Sequence, residues 1–278
     1  MKIKSSTMDK VFVTFNTIFL VLFVTITLYP VLNTVALSFN DGIDAVRGGI
    51  HLWPRIFTLS NYKTVLHQQN ILTGAVVSVA RTVLGTIFSL VTNALLAYII
   101  SRKRFLFRSQ LSLFWVITMY VNGGMIPTLV LYRNMNLTNS FWVYVIPGMV
   151  SAFNVLVMRT FMEGLPSALE ESAMIDGASV PRIFFQIVVP IMKPSIVSVA
   201  ILQAMWIWND YLLPYLTLDL SKYKTISVAV QYLKGGYGSV DMGAMMACLV
   251  MAIIPIIIFY LICQKYIVKG VMAGAVKG

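Results

Sequence analysis

Residues Leu169 to Pro190 read LEESAMIDGASVPRIFFQIVVP. This stretch carries Glu170, Glu171 and Asp176, and with Glu163 just upstream it holds every glutamate of the chain and four of its ten acidic residues. Everything around it is apolar. The chain is 278 residues long, 58% hydrophobic and only 11% charged, where a soluble domain is about one quarter charged. That composition is one of a membrane protein, and Leu169 to Pro190 is a polar passage inside it. The passage has its own punctuation. Ser167 and Glu170 stand at capping-box spacing just after Pro166, which predicts a short helix ending near Asp176. Gly177 supplies the left-handed residue that closes it. Ser179 caps a second helix, with Pro181 tolerated in its first turn and Pro190 and Pro194 ending it. The side chains of Ile183, Phe184, Phe185, Ile187, Val188 and Val189 need something to bury against. The passage therefore reads as a docked helix-turn-helix rather than an idle acidic linker.

Outward from it, six segments are apolar over the ~20 residues that a crossing requires: 11–35, 72–100, 109–132, 139–162, 195–218 and 241–265. The first is longer than the ~7–15 residues of a signal-peptide core and lacks a small-x-small cleavage site, so it reads as an uncleaved span. An even number of spans puts both termini on one side. That side collects thirteen Lys and Arg, the other collects seven, and Arg81 falls within a span. The positive-inside rule makes the termini and the acidic passage cytoplasmic. The net charge of +11 then belongs to cytoplasmic loops and anionic headgroups, and no basic run with interleaved aromatics points to nucleic acid. Cys248 and Cys263 lie ~22 Å apart on one helix and read as small buried hydrophobes. His51 and His67 are the only histidines, so no metal-ligand spacing exists. The organisation expected is a cytoplasmic N-terminus over 1–10, a first span and external loop over 11–71, a five-helix core over 72–265 containing the loop 163–194, and a cytoplasmic tail over 266–278.

Polar residues within spans are costly and face a bundle interior or a wet path. Tyr120, Asn122, Gly123, Gly124 and Pro127 predict that span three is kinked or unwound. Span four has Pro147, Gly148 and Asn154, and span five has Gln203, Trp206, Trp208, Asn209, Asp210 and Tyr211. Aromatic faces and amides suit sugars; polar glue between helices and interfacial tryptophan are the equal alternative. The pathway set is Tyr120, Asn122, Asn154, Trp206, Asn209, Asp210 and Arg81. Arg81 and Asp210 both lie ~12–14 Å from the external ends of their spans, so they are expected to pair or to share a polar cavity, the alternative being that each snorkels outward.

The passage resembles the EAA loop of ABC-importer permeases, whose pattern is E-A-A, three residues, Gly, nine residues, I-x-L-P. Glu171, Ser172 and Ala173 match the triplet, Gly177 the glycine, and Ile187 to Pro190 the ending, with Ser172 replacing an alanine and Val189 a leucine. GGIHLWPRIFTLSNYKTVL (48–66), MYVNGGMIPT (119–128), WIWNDYLLP (206–214) and KGVMAGAVKG (269–278) are similar to the carbohydrate-uptake group, second-subunit maltose-importer partner type, and the N-terminal half to permeases for complex oligosaccharides.

The resemblance implies an all-α membrane protein with the type I permease fold, six transmembrane helices and a cytoplasmic EAA helix-turn-helix, multi-pass in a bacterial cytoplasmic membrane. It implies a second homologous permease, two ATPase subunits, an extracytoplasmic binding protein and an oligosaccharide substrate. Glu170, Glu171, Ala173, Asp176 and Gly177 would dock an ATPase, Gly270, Gly274 and Lys277 of the tail would contact it, and loop 219–240 would meet the binding protein. ATP-Mg would sit on the ATPase subunits and no cofactor on this chain, which has no G-x-x-x-x-G-K-[ST] and is not read as an enzyme. A permease of this class for a non-sugar solute is the alternative. An ion-coupled secondary transporter is less favoured, since it would show internal repeats and several buried acids. A membrane-embedded enzyme would need an intramembrane His cluster, H-E-x-x-H or G-x-S-x-G, and none occurs.

Overall fold

The computed structural model describes residues 7–67, 69–218, 225–227 and 241–275. Its helices are α1 (Thr7–Ser38), α2 (Gly42–Val46), α3 (Ser60–His67), α4 (Gln69–Ser101), α5 (Arg108–Tyr120), α6 (Met125–Asn134), α7 (Ala152–Glu163) and α8 (Ala168–Ile175). They continue with α9 (Val180–Ile191), α10 (Lys193–Asn209), α11 (Leu212–Thr217) and α12 (Met242–Ala275). Among the described residues there is no strand, only an isolated bridge between Asn40 and Phe57. The chain divides into two compact units, Met1–Gln69 with Val230–Ile254, and Asn70–Ala229 with Pro255–Gly278.

In the first unit α1 spans 32 residues, ~48 Å at 1.5 Å per residue, and no part of its apolar window is buried within the chain. Its end is tied down by a knot of side-chain amides. Asn33 donates to the carbonyls of Ile50 and His51. The Asn40 carbonyl oxygen accepts from the backbone of Arg55 and Ile56 at 2.7 and 2.8 Å, and its amide donates to Asp44 at 3.1 Å. Arg55 completes the knot with a 2.9 Å ion pair to Asp44. The Asn40 amide first, and Arg55 after it, hold the Asp44 carboxyl below the usual carboxylate range against the opposing effect of burial. Asn61 donates to the carbonyls of Ser38 and Asn40. An added Cβ at Gly243 would fall 2.5 Å from that Asn61 amide. Gly243→Ala is accordingly expected to displace Asn61 and to cost this unit about 2 kcal/mol, the scale of leaving buried carbonyls without a donor. Thermal unfolding of the purified protein is the check.

In the second unit α4 is unbroken, whereas the chain around it is repeatedly interrupted. α5 and α6 meet at 116°, and α9 and α10 at 79°. Span three, expected over 109–132 with a kink or unwound stretch at Tyr120–Pro127, is two helices separated by Val121–Gly124, because the Asn122 side chain accepts from the Gly124 backbone and Gly124 takes φ +86°. Span four, expected as continuous over 139–162, is helical only in α7, after a 3-10 turn at Phe141–Tyr144. The reason lies on α4: Asn93 donates to Met149 O and accepts from Ser151 N. These bonds supply the partners that the backbone lacks where the helix is interrupted. Span five ends as a helix at Asn209 and resumes in α11. Among the described residues, α1, α4 and the Met242–Gln264 part of α12 are long and apolar enough to cross a membrane, or five spans if each bent pair counts as one.

The core of this unit gathers Ala97 and Tyr98 of α4, Val155, Met158 and Met162 of α7, Ala173 of α8, Ile183, Phe184 and Val188 of α9, and Val199 of α10. A stripe of small and polar residues, Ser78, Arg81, Gly85, Ser89, Asn93, Ala97 and Ser101, marks the buried face of α4. It follows the three-to-four residue helical repeat and lets neighbouring backbones approach. At Gly85 an added Cβ would lie 2.9 Å from Ile207 of α10.

Candidate functional site

The acidic passage folds as α8, a tight turn and α9. Its start differs from the capping-box expectation. Ser167 is itself helical and makes no side-chain cap bond. Its carbonyl accepts from the backbones of both Glu170 and Glu171, and Leu169 N donates to Pro166 O, so the first turn begins at Pro166. The end of α8 follows the Schellman pattern: Gly177, at φ +79°, donates to Met174 O, and Ala178 donates to Ala173 O at 2.9 Å. Ser179 precedes α9 in extended conformation but makes no side-chain cap bond. Inside α9, Phe184–Val188 widens into a π-turn, and the helix runs one residue past Pro190.

The five docking residues do not share one face. Glu170 is 6% exposed, ion-paired with Arg102, and accepts a 3.3 Å bond from the Tyr98 hydroxyl. Ala173 is buried beside it in the core. An inward Glu170 corrects the expectation that it faces a partner subunit. The physical reason is helical phase: Glu170 and Ala173, three apart, share the face packed on α4 and α7. Glu171, Asp176 and Gly177 are exposed, and so are the apolar Met174, Val180, Phe185 and Ile175 of the same passage, the last 86% exposed. Exposed carboxylates and exposed apolar side chains on one helix-turn-helix are suited to a complementary protein surface. Gly270 and Gly274 lie within α12, which continues helically through the expected tail to Ala275. Lys277 and the residues 219–224 and 228–240 of the expected external loop lie outside the described residues.

The pathway residues also separate into two groups. Asn154 is buried and donates to Gln203 at 2.8 Å, acting as a strut between α7 and α10. Arg81 is 1% exposed. Its guanidinium donates to the carbonyls of Ile207 and Asp210, where α10 ends, and lies 5.0 Å from the Tyr144 ring centre. Arg81 and Asp210 therefore share a site, a cavity of about 110 Å³ lined also by Tyr132, Tyr144 and Trp206. The contact runs through the main-chain carbonyl of Asp210, while its carboxylate accepts from Leu213 N at the start of α11. Trp206, Asn209 and Asp210, with Met205, line an open cleft of about 400 Å³. Tyr120 and Asn122 are exposed at the α5–α6 break. Sequence reasoning passed over Asn93, Tyr98 and the pairing role of Arg102; the four-residue repeat of small and polar residues along α4 is the signal that marks that face.

A family described as "Binding-protein-dependent transport system inner membrane component" matches residues 82–273. The chain is 34% identical over 274 residues to the polygalacturonan/rhamnogalacturonan transport system permease protein YtcP of Bacillus subtilis, covering 94% of this chain and 96% of that one. It is 30% identical to the arabinooligosaccharides transport system permease protein AraQ of Halalkalibacterium halodurans, over 91% and 92% of the two chains. A solved chain of a bacterial ABC transporter that imports the acidic polysaccharide alginate superposes with TM-score 0.87 at 27% identity, covering 95% of this chain and 99% of that one. The helix-turn-helix packed on a broken-helix core, and the near full-length match to these proteins, lead to one conclusion: the chain belongs to the family of inner membrane components of binding-protein-dependent transport systems, the permease subunits of ABC importers.

Proposed function

We propose that this chain forms half of the translocation pathway of an ATP-driven oligosaccharide importer and couples to an ATPase subunit through α8 and the turn at Gly177. The observation that carries the reading is the division of α8 into two faces. One is locked onto α4 by Glu170 and Ala173; the other presents Glu171, Ile175 and Asp176 outward. A lever must be rigid on one side and gripping on the other.

The partners in this reading are a second homologous permease, two ATPase subunits that bind ATP-Mg and hydrolyse it, and an extracytoplasmic binding protein. Six crossings with both termini cytoplasmic are supported by the distribution of Lys and Arg. The bent pair α5 and α6 makes the third, and the Phe141–Tyr144 turn with α7 makes the fourth. The organisation is then 1–10 N-terminus, 11–71 first span and external loop, 72–265 core with loop 163–194, and 266–278 as a C-terminal segment contacting the ATPase through Gly270, Gly274 and Lys277. An oligosaccharide substrate is supported by the names of the pectic-polymer and arabinooligosaccharide relatives and of the alginate importer. Trp206 and Asn209 in the open cleft supply a ring face and an amide for it.

The test is reconstitution of the full complex in proteoliposomes with labelled oligosaccharide and binding protein. Uptake is expected to require ATP, and uptake that persists without the ATPase subunits would refute the reading. In the same assay Trp206→Ala is expected to lower uptake about five- to ten-fold, the loss of one aromatic stacking contact, with the ATPase subunits still bound.

A further inference from the structure

α4 runs from Gln69 to Ser101 without a proline or a break, and the interrupted chain beside it is tied to it at three places. At one end Arg102, the residue after α4, pairs with Glu170 of α8 and lies over the Tyr98 ring at 4.5 Å. In the middle Asn93 holds Met149 and Ser151. At the third place, twelve residues in from the Gln69 end, Arg81 holds the carbonyls of Ile207 and Asp210, a cation placed on the negative end of the α10 dipole. Arg81 and Arg102 are twenty-one residues apart in sequence, ~31 Å along a helix.

The partners of these two arginines belong to one continuous stretch, α8 to α10. That stretch has two joints, the left-handed Gly177 and the 79° bend at Met192. A push on α8 delivered only along the chain would be absorbed at those joints. Fastening both ends of the stretch to one unbroken helix bypasses them. We propose that α4 is a transmission strut, with Arg102 and Arg81 as positioning residues that carry the movement of α8 to the cleft at Asp210. The inference rests on the importer reading above and adds to it a route by which force crosses the membrane.

The test is the amount of oligosaccharide taken up per ATP hydrolysed, in proteoliposomes holding equal amounts of assembled complex. Arg102→Ala, and separately Arg81→Gln, which keeps an amide donor but removes the charge, are each expected to lower this ratio about ten-fold or more while hydrolysis continues, within the usual range of coupling between sites. The charge exchange Arg102→Glu with Glu170→Arg is expected to restore the ratio to within about three-fold of wild type. A role confined to folding would change the yield of complex and leave the ratio alone. An unchanged ratio in both single variants overturns the strut, as does a charge exchange no better than Arg102→Ala. Wild-type complex that shows no ATP-dependent uptake overturns the importer reading instead, so the two failures are distinct.

Discussion

Gly177→Pro abolishes uptake, by about 100-fold or more, while the protein still inserts in the membrane: this is the largest effect expected of any single change in the coupling loop. The residue stands at φ +79° and donates its N–H to Met174 O at 3.1 Å. Proline is fixed near φ −65° and has no N–H, so both the turn and its hydrogen bond are lost. The helix before it suffers too, because a residue preceding proline is pushed out of the helical region. Gly177→Ala separates the components of this effect. No atom lies within 4 Å of an added Cβ, leaving only the ~1–2 kcal/mol of left-handed strain, and uptake should be reduced but measurable. Glu171→Lys reverses a charge on the exposed face and should likewise abolish uptake without unfolding the loop. The measurement is co-purification of the ATPase subunits alongside uptake. Wild-type amounts of ATPase on both Gly177→Pro and Glu171→Lys, at unchanged ATPase activity, would remove the docking role.

Asn93→Leu acts at the opposite level, on whether the second unit holds its shape. The Asn93 side chain is completely buried and serves two backbone groups of the irregular segment before α7. Leucine fills similar space but leaves Met149 O and Ser151 N unpaired, at about 1–3 kcal/mol each, with no water in a bilayer core to replace the lost bonds. Most of the folded protein is expected to be lost. Ser89→Ala removes a 2.8 Å contact to the Asn93 amide and leaves both backbone bonds in place, so it should cost about 1 kcal/mol or less. Unfolding of the two variants in mixed micelles, followed by denaturant titration, compares them; equal midpoints would show that the segment does not depend on Asn93.

The helix-turn-helix was legible in the sequence because its signals are local. A glycine at the end of a short apolar-acidic run, followed by Ser and Pro, admits few backbones, and Gly177 takes the one expected. The facing of Glu170 and Glu171 was not legible from charge, which treats adjacent glutamates alike. Their helical phase separates them by ~100°, and it was the packing of Ala173 that fixed which points inward. Span four failed as a continuous helix for a related reason. Hydropathy over 139–162 records composition, whereas the break depends on an amide fifty-six residues away on α4. Arg81 and Asp210 were correctly brought to one cavity by depth alone. That Arg81 would take carbonyls rather than the carboxylate required knowing where α10 ends.

The contact of Arg81 also has a consequence for how the protein is made. Its carbonyl partners lie 126 and 129 residues further along the chain. At ~5–20 residues per second of synthesis, they emerge roughly 6–25 s after it. During that interval α4 must enter the bilayer carrying an arginine with nothing to hold, a cost of about 2.5–3.5 kcal/mol for a central position on the insertion scale. The leucines, valines and isoleucines along the rest of α4 have to offset that cost alone. Substitutions that weaken their apolarity would therefore be felt by the nascent chain at the translocon, before any subunit of the transporter has been assembled.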